Sequence, residues 1–567
     1  MSLLHGLQRV PCAAASNNKC AKDGAQCRLV LYCSKACQLA HWHKGHQDVC
    51  KSRLRKENWT PQWIAQKREP AFVAQAHHQG THAAFGTLQH HIWGNVMAMD
   101  CLRAEANEGE IRNRDLTLGF VASGDLRHLI RTVNALPSDY SGSCTVLMND
   151  HDPVVTSRNL MALLFLAGHL AGDFERDIEL VFHLLYSAAV TPDHASSVSF
   201  IVQRIFTQAM PNLEGMKNYS CRYDADNDGG TVQATFSVHV FAYLIGMGAS
   251  TFPWSKAREA MLGVVQAPER LDFKERHLSW LSPAHRLAFV RYWSTGIVLP
   301  FGADLSAYTE PNRFMFSRNA EWLTRDAECP LYGWDARDCV ATGREHGCTP
   351  EDIFGCFYFH VKNELAEFAR RLRRFKLDVR ITSSDALALA DVIKARSDPF
   401  LAPFWPPRFD RVETSNVSDY VGIRRMLEGW GSLLNPADPH AAMLMYSMNW
   451  RAPGQADLED DVLDGPIMKR SRERRYLNSD VFTNRGWEYW PPSSAAFRFL
   501  ETINAFYDDD GDFQRYLASN GFHAVARRLG IRMRDVNKIV PKRVGFGFDA
   551  ASKQLPPFSS EDMYLLG

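Results

Sequence analysis

The chain has 567 residues, 46% hydrophobic, 23% charged and 11% aromatic, and its 64 Lys plus Arg are balanced by 64 Asp plus Glu. That is apolar material for a large core, on a length that suggests roughly two to four domains. A net charge of zero excludes a molecule built as a whole to coat nucleic acid or an acidic membrane.

The first element in the chain is a dense cluster of soft metal ligands. Six of the 13 cysteines lie in the first 50 residues: Cys12, Cys20, Cys27, Cys33, Cys37 and Cys50, with His46 between the last two. The opening "MSLLHGLQRV" has no apolar leader, so the expected setting is reducing, and there such a cluster reads as a metal site rather than disulfides. Structural zinc takes four soft ligands in a tetrahedron. Pairs such as Cys33-x3-Cys37 and His46-x3-Cys50 can share one helical face. Seven candidates are too many for one zinc and one short of two. No Glu or Asp stands near them as an obvious general base, which points to a folding metal rather than a catalytic one. Residues 1–70 hold 12 Lys/Arg against 4 Asp/Glu, with a run at Lys51, Arg53, Arg55 and Lys56. This reads as the solvated flank of a small domain. "CKSRLRKENWTPQW" then leads out of that domain, with a boundary near 55–70.

From about 115 the pattern changes. Leu116–Ala122, "LTLGFVA", is an uncharged apolar run, the mark of a strand buried on both faces. Ser123-Gly124-Asp125 forms a turn, and Leu126, Leu129, Ile130 and Val133 recur at helical spacing up to Pro137. A second strand, Cys144–Met148, ends in Asn149-Asp150 and is followed by a helix within "VVTSRNLMALLFLAGHLAG". Residues 170–360 read as a mostly helical insertion. Thr231–Trp254 lacks Asp, Glu, Lys and Arg, yet its polar residues and glycines mark a buried segment rather than a membrane span. Downstream, Val361, Leu365, Phe368, Leu372 and Phe375 form a helical stripe. Leu377, Val379 and Ile381 alternate as a strand ending at Ser383-Ser384-Asp385. Phe409–Asn416 and Met443–Met448 read as further strands, with a helix at Gly422–Leu434 between them. Strand, glycine turn, helix and strand with a terminal acid open a doubly wound α/β unit.

Several motifs carry no site. Asp224–Gly230 opens like a calcium loop, but its twelfth position is Thr235, so the bidentate ligand is missing. Cys329, Cys339, Cys348 and Cys356 have no Cys-x-x-Cys pair and read as scattered thiols. His77, His78, His82, His90 and His91 read as surface histidines.

Two resemblances sharpen these readings. Tyr32-Cys33-Ser34-Lys35-Ala36-Cys37-Gln38, then His41-Trp42, His46 and Cys50, resemble the MYND-type zinc finger. The resemblance implies two cross-braced zincs. Cys12, Cys20, Cys33 and Cys37 would hold one, and Cys27, His46 and Cys50 would supply three ligands to the other. The eighth position is Gly24, so Asp23, His41, His43 or a water would have to complete that site. Such fingers look like modules that grip short, often proline-containing peptides. The strand and helix order resembles the Rossmann-like methyltransferase architecture. More narrowly, "GFVASGDLRHLIRTV" and "TVLMNDHDPVVTSRNLMALLFLAG" resemble the N-terminal domain of dynein axonemal assembly factor 3. "HHIWGNVMAMDCLRAEANEG", His90–Gly109, and the stretch from Lys51 to Trp63 resemble fungal chains that join this domain to a MYND finger. In a working methyltransferase the Gly124 turn would pass under the methionine part of S-adenosylmethionine. Asp150 would hold the ribose, Asp385 would sit near the adenine edge, and Ser415-Asn416 would border the reaction centre. The turn has a single glycine, and Asp150 within "NDHDP" also suits a helix cap.

The expected fold class is α/β: a Rossmann/methyltransferase-like sheet domain with a large helical insertion, plus a small N-terminal zinc finger. The expected divisions are a finger over 1–55, a linker and lead-in over 56–114, the sheet domain over 115–455 with its insertion at about 170–360, and a mostly helical extension over 456–567. The expected function is an intracellular adaptor, cytoplasmic or nuclear. It would bind one or two zinc ions and a protein or peptide partner, with no membrane, no nucleic acid and no catalytic residue. The alternatives are a methyltransferase using S-adenosylmethionine whose finger selects a protein substrate, and a transcriptional regulator.

Overall fold

The computed structural model describes residues 18–19, 27–71, 90–450 and 510–539, apart from 33, 69, 72–89, 95, 169–172, 213–214, 216, 227–228, 280, 327, 406–407 and 449. Its strands in chain order are β1 (Asn18–Lys19), β2 (Leu31–Tyr32), β3 (Leu116–Phe120), β4 (Ser143–Asn149), β5 (Ala189–Val190), β6 (Asn218–Asp224), β7 (Thr231–Ser237), β8 (Glu310–Pro311), β9 (Lys376–Thr382), β10 (Arg411–Glu413) and β11 (Ala442–Leu444).

Seven of them form one sheet in the order β11-β10-β3-β4-β9-β7-β6. Every pairing is parallel except β6 with β7. The sequence dictates this through side-chain alternation. Leu118, Phe120, Val146 and Met148 point into the larger core, while Val121, Leu147 and Val412 point into a second core on the other face. A strand buried on both sides has no polar face, which is why "LTLGF" carries no charge. Helices Arg127–Asn134, Pro153–Leu166 and Ile353–Leu372 cover the first face, and Ala386–Ala395 and Ile423–Trp430 cover the second. The molecule is therefore a mixed α/β fold of Rossmann type with a mostly parallel sheet. Asn149 ties its carboxyl edge together. The side-chain amide donates to the Val121 and Ser384 carbonyls, each at 2.9 Å, and its oxygen accepts from Thr382 Oγ1 at 2.8 Å.

Within 170–360 the chain is not all helix. The β6–β7 hairpin joins the sheet, with β7 parallel to β9 and β6 at the edge. The acidic Asp224–Gly230 stretch is the turn of this hairpin, where Ala225 N donates to the Gly230 carbonyl at 2.8 Å. The charge-free Thr231–Trp254 stretch divides into β7 and the helix Val238–Ala249. Among the described residues no helix is long and apolar enough to cross a membrane. The helices Asp510–Ser519 and Phe522–Leu529 pack on Ile423–Trp430 around a small third core.

The sheet's switch point lies between β3, whose next strand β4 is on one side, and β10 on the other. In open α/β sheets the ligand crevice forms here, beyond the carboxyl ends of the strands. In this protein a strap from His90 to Leu102 lies across it. Gly94 sits on the Gly124 turn, so close that a Cβ on Gly124 would come 3.6 Å from the Gly94 Cα. The Arg127 guanidinium lies between Gly94 and Gly333, and any side chain at 94 would meet its Nη2 at 2.1 Å. The strap then follows the helix Arg127–Asn134, with Met99 N donating to His128 Nδ1 at 3.2 Å and Cys101 N to Thr132 Oγ1 at 3.0 Å. Ile92 is fully buried and Trp93 nearly so, which anchors the strap at its start.

Candidate metal centre

Cys27, the first candidate ligand among the described residues, lies in the segment before β2, which pairs antiparallel with β1 in the register Asn18↔Tyr32 and Lys19↔Leu31. Ser34 then caps a helix, accepting from Cys37 N at 3.2 Å. That helix, Lys35–His41, runs into one wide turn, Trp42–His46, and then into the helix Gln47–Lys51. The join is a kink at Gly45, whose φ of 110° lies where L side chains are rarely found. The kink aims His46 back along its own helix. Its Nε2 comes 3.2 Å from Cys50 Sγ, one turn on, and 3.4 Å from Cys27 Sγ.

These three ligand atoms lie within 4.8 Å of one another, and all three residues are buried. A tetrahedral zinc with metal–sulfur bonds near 2.3 Å and a metal–nitrogen bond near 2.0 Å separates sulfur from nitrogen by about 3.5 Å. The cluster has that spacing, and its donor set is the soft mixture zinc prefers. Cys27, His46 and Cys50 would hold the ion, and its role would be to cross-link a segment too short to build its own core.

The rings around His46 fix its orientation, as outer-shell groups do at metal sites. His41 stacks on it with centroids 4.7 Å apart and planes 26° apart, and Trp42 meets it edge-on at 6.2 Å. His41 Nδ1 is in turn hydrogen-bonded to the buried Tyr32 hydroxyl at 2.7 Å. Among the described residues His41 and His43 therefore stand outside the cluster, and His41 acts as a support. The stacking partner was not apparent from spacing alone, because His41 has the same claim to be a ligand as His46. Cys37 is half-buried on the helix Lys35–His41, whereas Cys12, Cys20, Cys33, Asp23 and Gly24 lie outside the described residues.

Residues 12–50 match the MYND finger family. The N-terminal module is a MYND finger. Residues 92–190 match a domain of unknown function, DUF4470, which is the domain of proteins like dynein axonemal assembly factor 3. No curated protein and no solved structure matches the chain. The finger and the Cys27–His46–Cys50 cluster together support zinc binding. The DUF4470 match begins at Ile92, so the strap and the Gly124 turn it covers belong to one matched unit.

The finger is not a free appendage. Its core residues Cys27, Leu29, Val30, Tyr32 and Cys50 belong to the same contiguous core as the α/β body. Its flank is held by charge. Arg68 forks onto Asp272 with two bonds of 2.6 Å, Gln62 N donates to Glu275 at 2.5 Å, and Arg28 pairs with Glu351 at 3.7 Å. Arg286 reaches the Lys56 carbonyl at 3.1 Å and covers the Trp59 ring at 5.1 Å.

Asp150 and Asp385, expected at the cofactor with Gly124, and Ser415, expected with Asn416 beside the reaction centre, make hydrogen bonds within the protein itself. Asp150 accepts from Gly124 N through one oxygen and from Asp152 N through the other, each at 3.0 Å. Burial raises its carboxyl to about 6. Asp385 caps the helix Ala386–Ala395, accepting from Leu387 N and Ala388 N at 2.9 Å. Ser415 has a left-handed backbone, φ 49°, that turns its N–H onto Glu413 at 2.6 Å.

Gly45 gives a direct check on the metal centre. Among the described residues no atom beyond its own chain neighbours and helix backbone lies within 4 Å of a Cβ added there, so Gly45→Ala tests the backbone conformation. The strained φ should cost about 1–3 kcal/mol and turn His46 away from the two thiolates. Competition against a zinc chelator should show weaker retention by the variant; equal retention would mean the kink does not set the ligand.

Proposed function

We propose that this protein is a non-catalytic interaction or assembly adaptor. The zinc-stapled finger recruits a protein or peptide, and the methyltransferase-like α/β body serves as a rigid platform. The observation that carries the reading is the use of the Asp150 carboxylate by the chain itself. Gly94 lies against the glycine turn, and the two Asp150 oxygens accept from Gly124 N and Asp152 N. A cofactor would have to share that carboxylate with the backbone beside the strap, and fold alone does not supply an activity. The finger's metal inventory in this reading is up to two zincs, one of them at Cys27, His46 and Cys50. The protein would work in the cytoplasm or nucleus.

Calorimetry of the full chain with S-adenosylmethionine tests the platform half. No heat of binding is expected. Micromolar binding that disappears in Asp150→Ala would instead establish the methyltransferase reading. Affinity capture with wild type and His46→Ala tests the finger half: partners retained equally by both would remove the finger from recruitment. A tagged chain excluded from the nucleus would remove a transcriptional role.

A further inference from the structure

The helix Lys35–His41 has no buried residue. Ala36, Leu39 and Ala40 form an exposed apolar strip along it, and Leu39 is 47% exposed. Lys35 and His43 border the strip at spacings of four residues from Leu39, and Lys44 lies beside them; all three are exposed. Neither lysine makes an ion pair among the described residues, and the Lys44 charge helps to lower the Asp304 carboxyl of the body. Elsewhere on the finger and its flank, Arg28, Gln62 and Arg68 engage the body. Those contacts show what the basic finger accepts, because their partners are the carboxylates of Glu351, Glu275 and Asp272.

We propose that the outer face of Lys35–His41 docks an acidic segment of a partner protein, with an apolar side chain of that segment seated on Ala36, Leu39 and Ala40. The proposal rests on the adaptor reading and names the chemistry of its partner. Charge complementarity selects the occupant. The first 70 residues carry a threefold excess of cations, 12 against 4, while the net charge of the whole is zero, so the remainder of the chain is acidic and already covers one side of the finger. An exposed leucine between lysines suits a peptide better than a phosphate backbone, which offers nothing apolar to cover it.

The test uses the full zinc-loaded chain and a fluorescent synthetic peptide of Asp and Glu with a central leucine pair. Anisotropy should show binding that weakens with salt, as a steered charged contact does. The paired change Lys35→Glu with Lys44→Glu should weaken it on the order of tenfold or more, and so should replacing the peptide's leucines by serine. Zinc content should stay at the wild-type level, because neither lysine is a ligand. Lys256→Glu, on the helix Trp254–Val265 of the body, should leave binding unchanged. Equal binding by the Lys35/Lys44 variant overturns the proposal. So does tighter binding of a DNA duplex than of the peptide. Loss of partner capture in His46→Ala, with none in the Lys35/Lys44 variant, would sink this surface while leaving the adaptor reading standing. No loss in either variant would sink the adaptor reading itself.

Discussion

Replacing His46 by alanine is expected to strip the Cys27–His46–Cys50 cluster of its ion and to unfold the finger, while the α/β body stays folded. Two thiolates alone do not make a structural zinc site. Apparent binding energies for structural zinc in small fingers run to about 10–16 kcal/mol, and most of that is folding energy. Among the described residues 27–50 only six are buried, and three of them are the ligands, so zinc is a large share of what holds the finger. Elemental analysis of the full chain should show one zinc fewer than wild type. Trypsin should cut in the stretch from Lys51 to Arg68, whose contacts to Asp272, Glu275 and Arg286 depend on the finger's docking. The body should still unfold in its own transition, because its two larger cores are formed mainly by the sheet and its covering helices. His41→Ala removes a support and no ligand, so its effect should be smaller, about 10–100-fold in metal affinity. Wild-type zinc content in His46→Ala would contradict the assignment of this cluster.

The two modules differ in how openly the sequence announces them. Among the parallel strands from Leu116 to Leu444, β3, β4 and β11 are legible as apolar stretches and β9 as an alternation of Leu377, Val379 and Ile381. The three clustered ligands are legible because thiolate and imidazole at short spacing have few other uses. The β6–β7 hairpin is hidden. As an edge strand, β6 alternates exposed and buried residues in "NYSCRYD", and its polar half masks the pattern amid helical neighbours. The strap is hidden for a different reason. Nothing local marks "IWG" as a segment that lies against the glycine turn. That role comes from Gly94 meeting Gly124, 30 residues on, and from Arg127 lying between Gly94 and Gly333. Asp150 and Asp385 illustrate the limit of a motif. An acid at a strand end can bind a ribose or cap a backbone, and here both acids accept from backbone N–H groups.

Glu108→Ala should destabilise the body by about 3–5 kcal/mol, the cost of leaving a desolvated partner charge unpaired. Glu108 and Arg411 form an ion pair at 2.6 Å with side chains 0% and 2% exposed. Arg411 stands on β10 and uses its other donors on the strap, reaching the Cys101 and Leu102 carbonyls at 3.1 Å. The guanidinium therefore bridges the sheet, the strap and the loop after it, and its charge is compensated in that place by Glu108. Removing the carboxylate leaves a cation that no water can reach. Arg411 must then either remain unpaired or pull the strap away from the sheet to find solvent. Hydrogen exchange at the Met99 and Cys101 amides should rise, since both donate to the helix Arg127–Asn134 only while the strap is seated. The pair itself need not be stabilising. Glu108→Leu combined with Arg411→Met should recover most of the loss, because a well-packed apolar pair replaces a desolvated ionic one at little net cost. Unfolding measurements on the single and double variants separate the two effects. A loss below about 1 kcal/mol in Glu108→Ala would place the pair in the range of solvated surface bridges and show that the strap is held by its apolar anchors Ile92 and Trp93 instead.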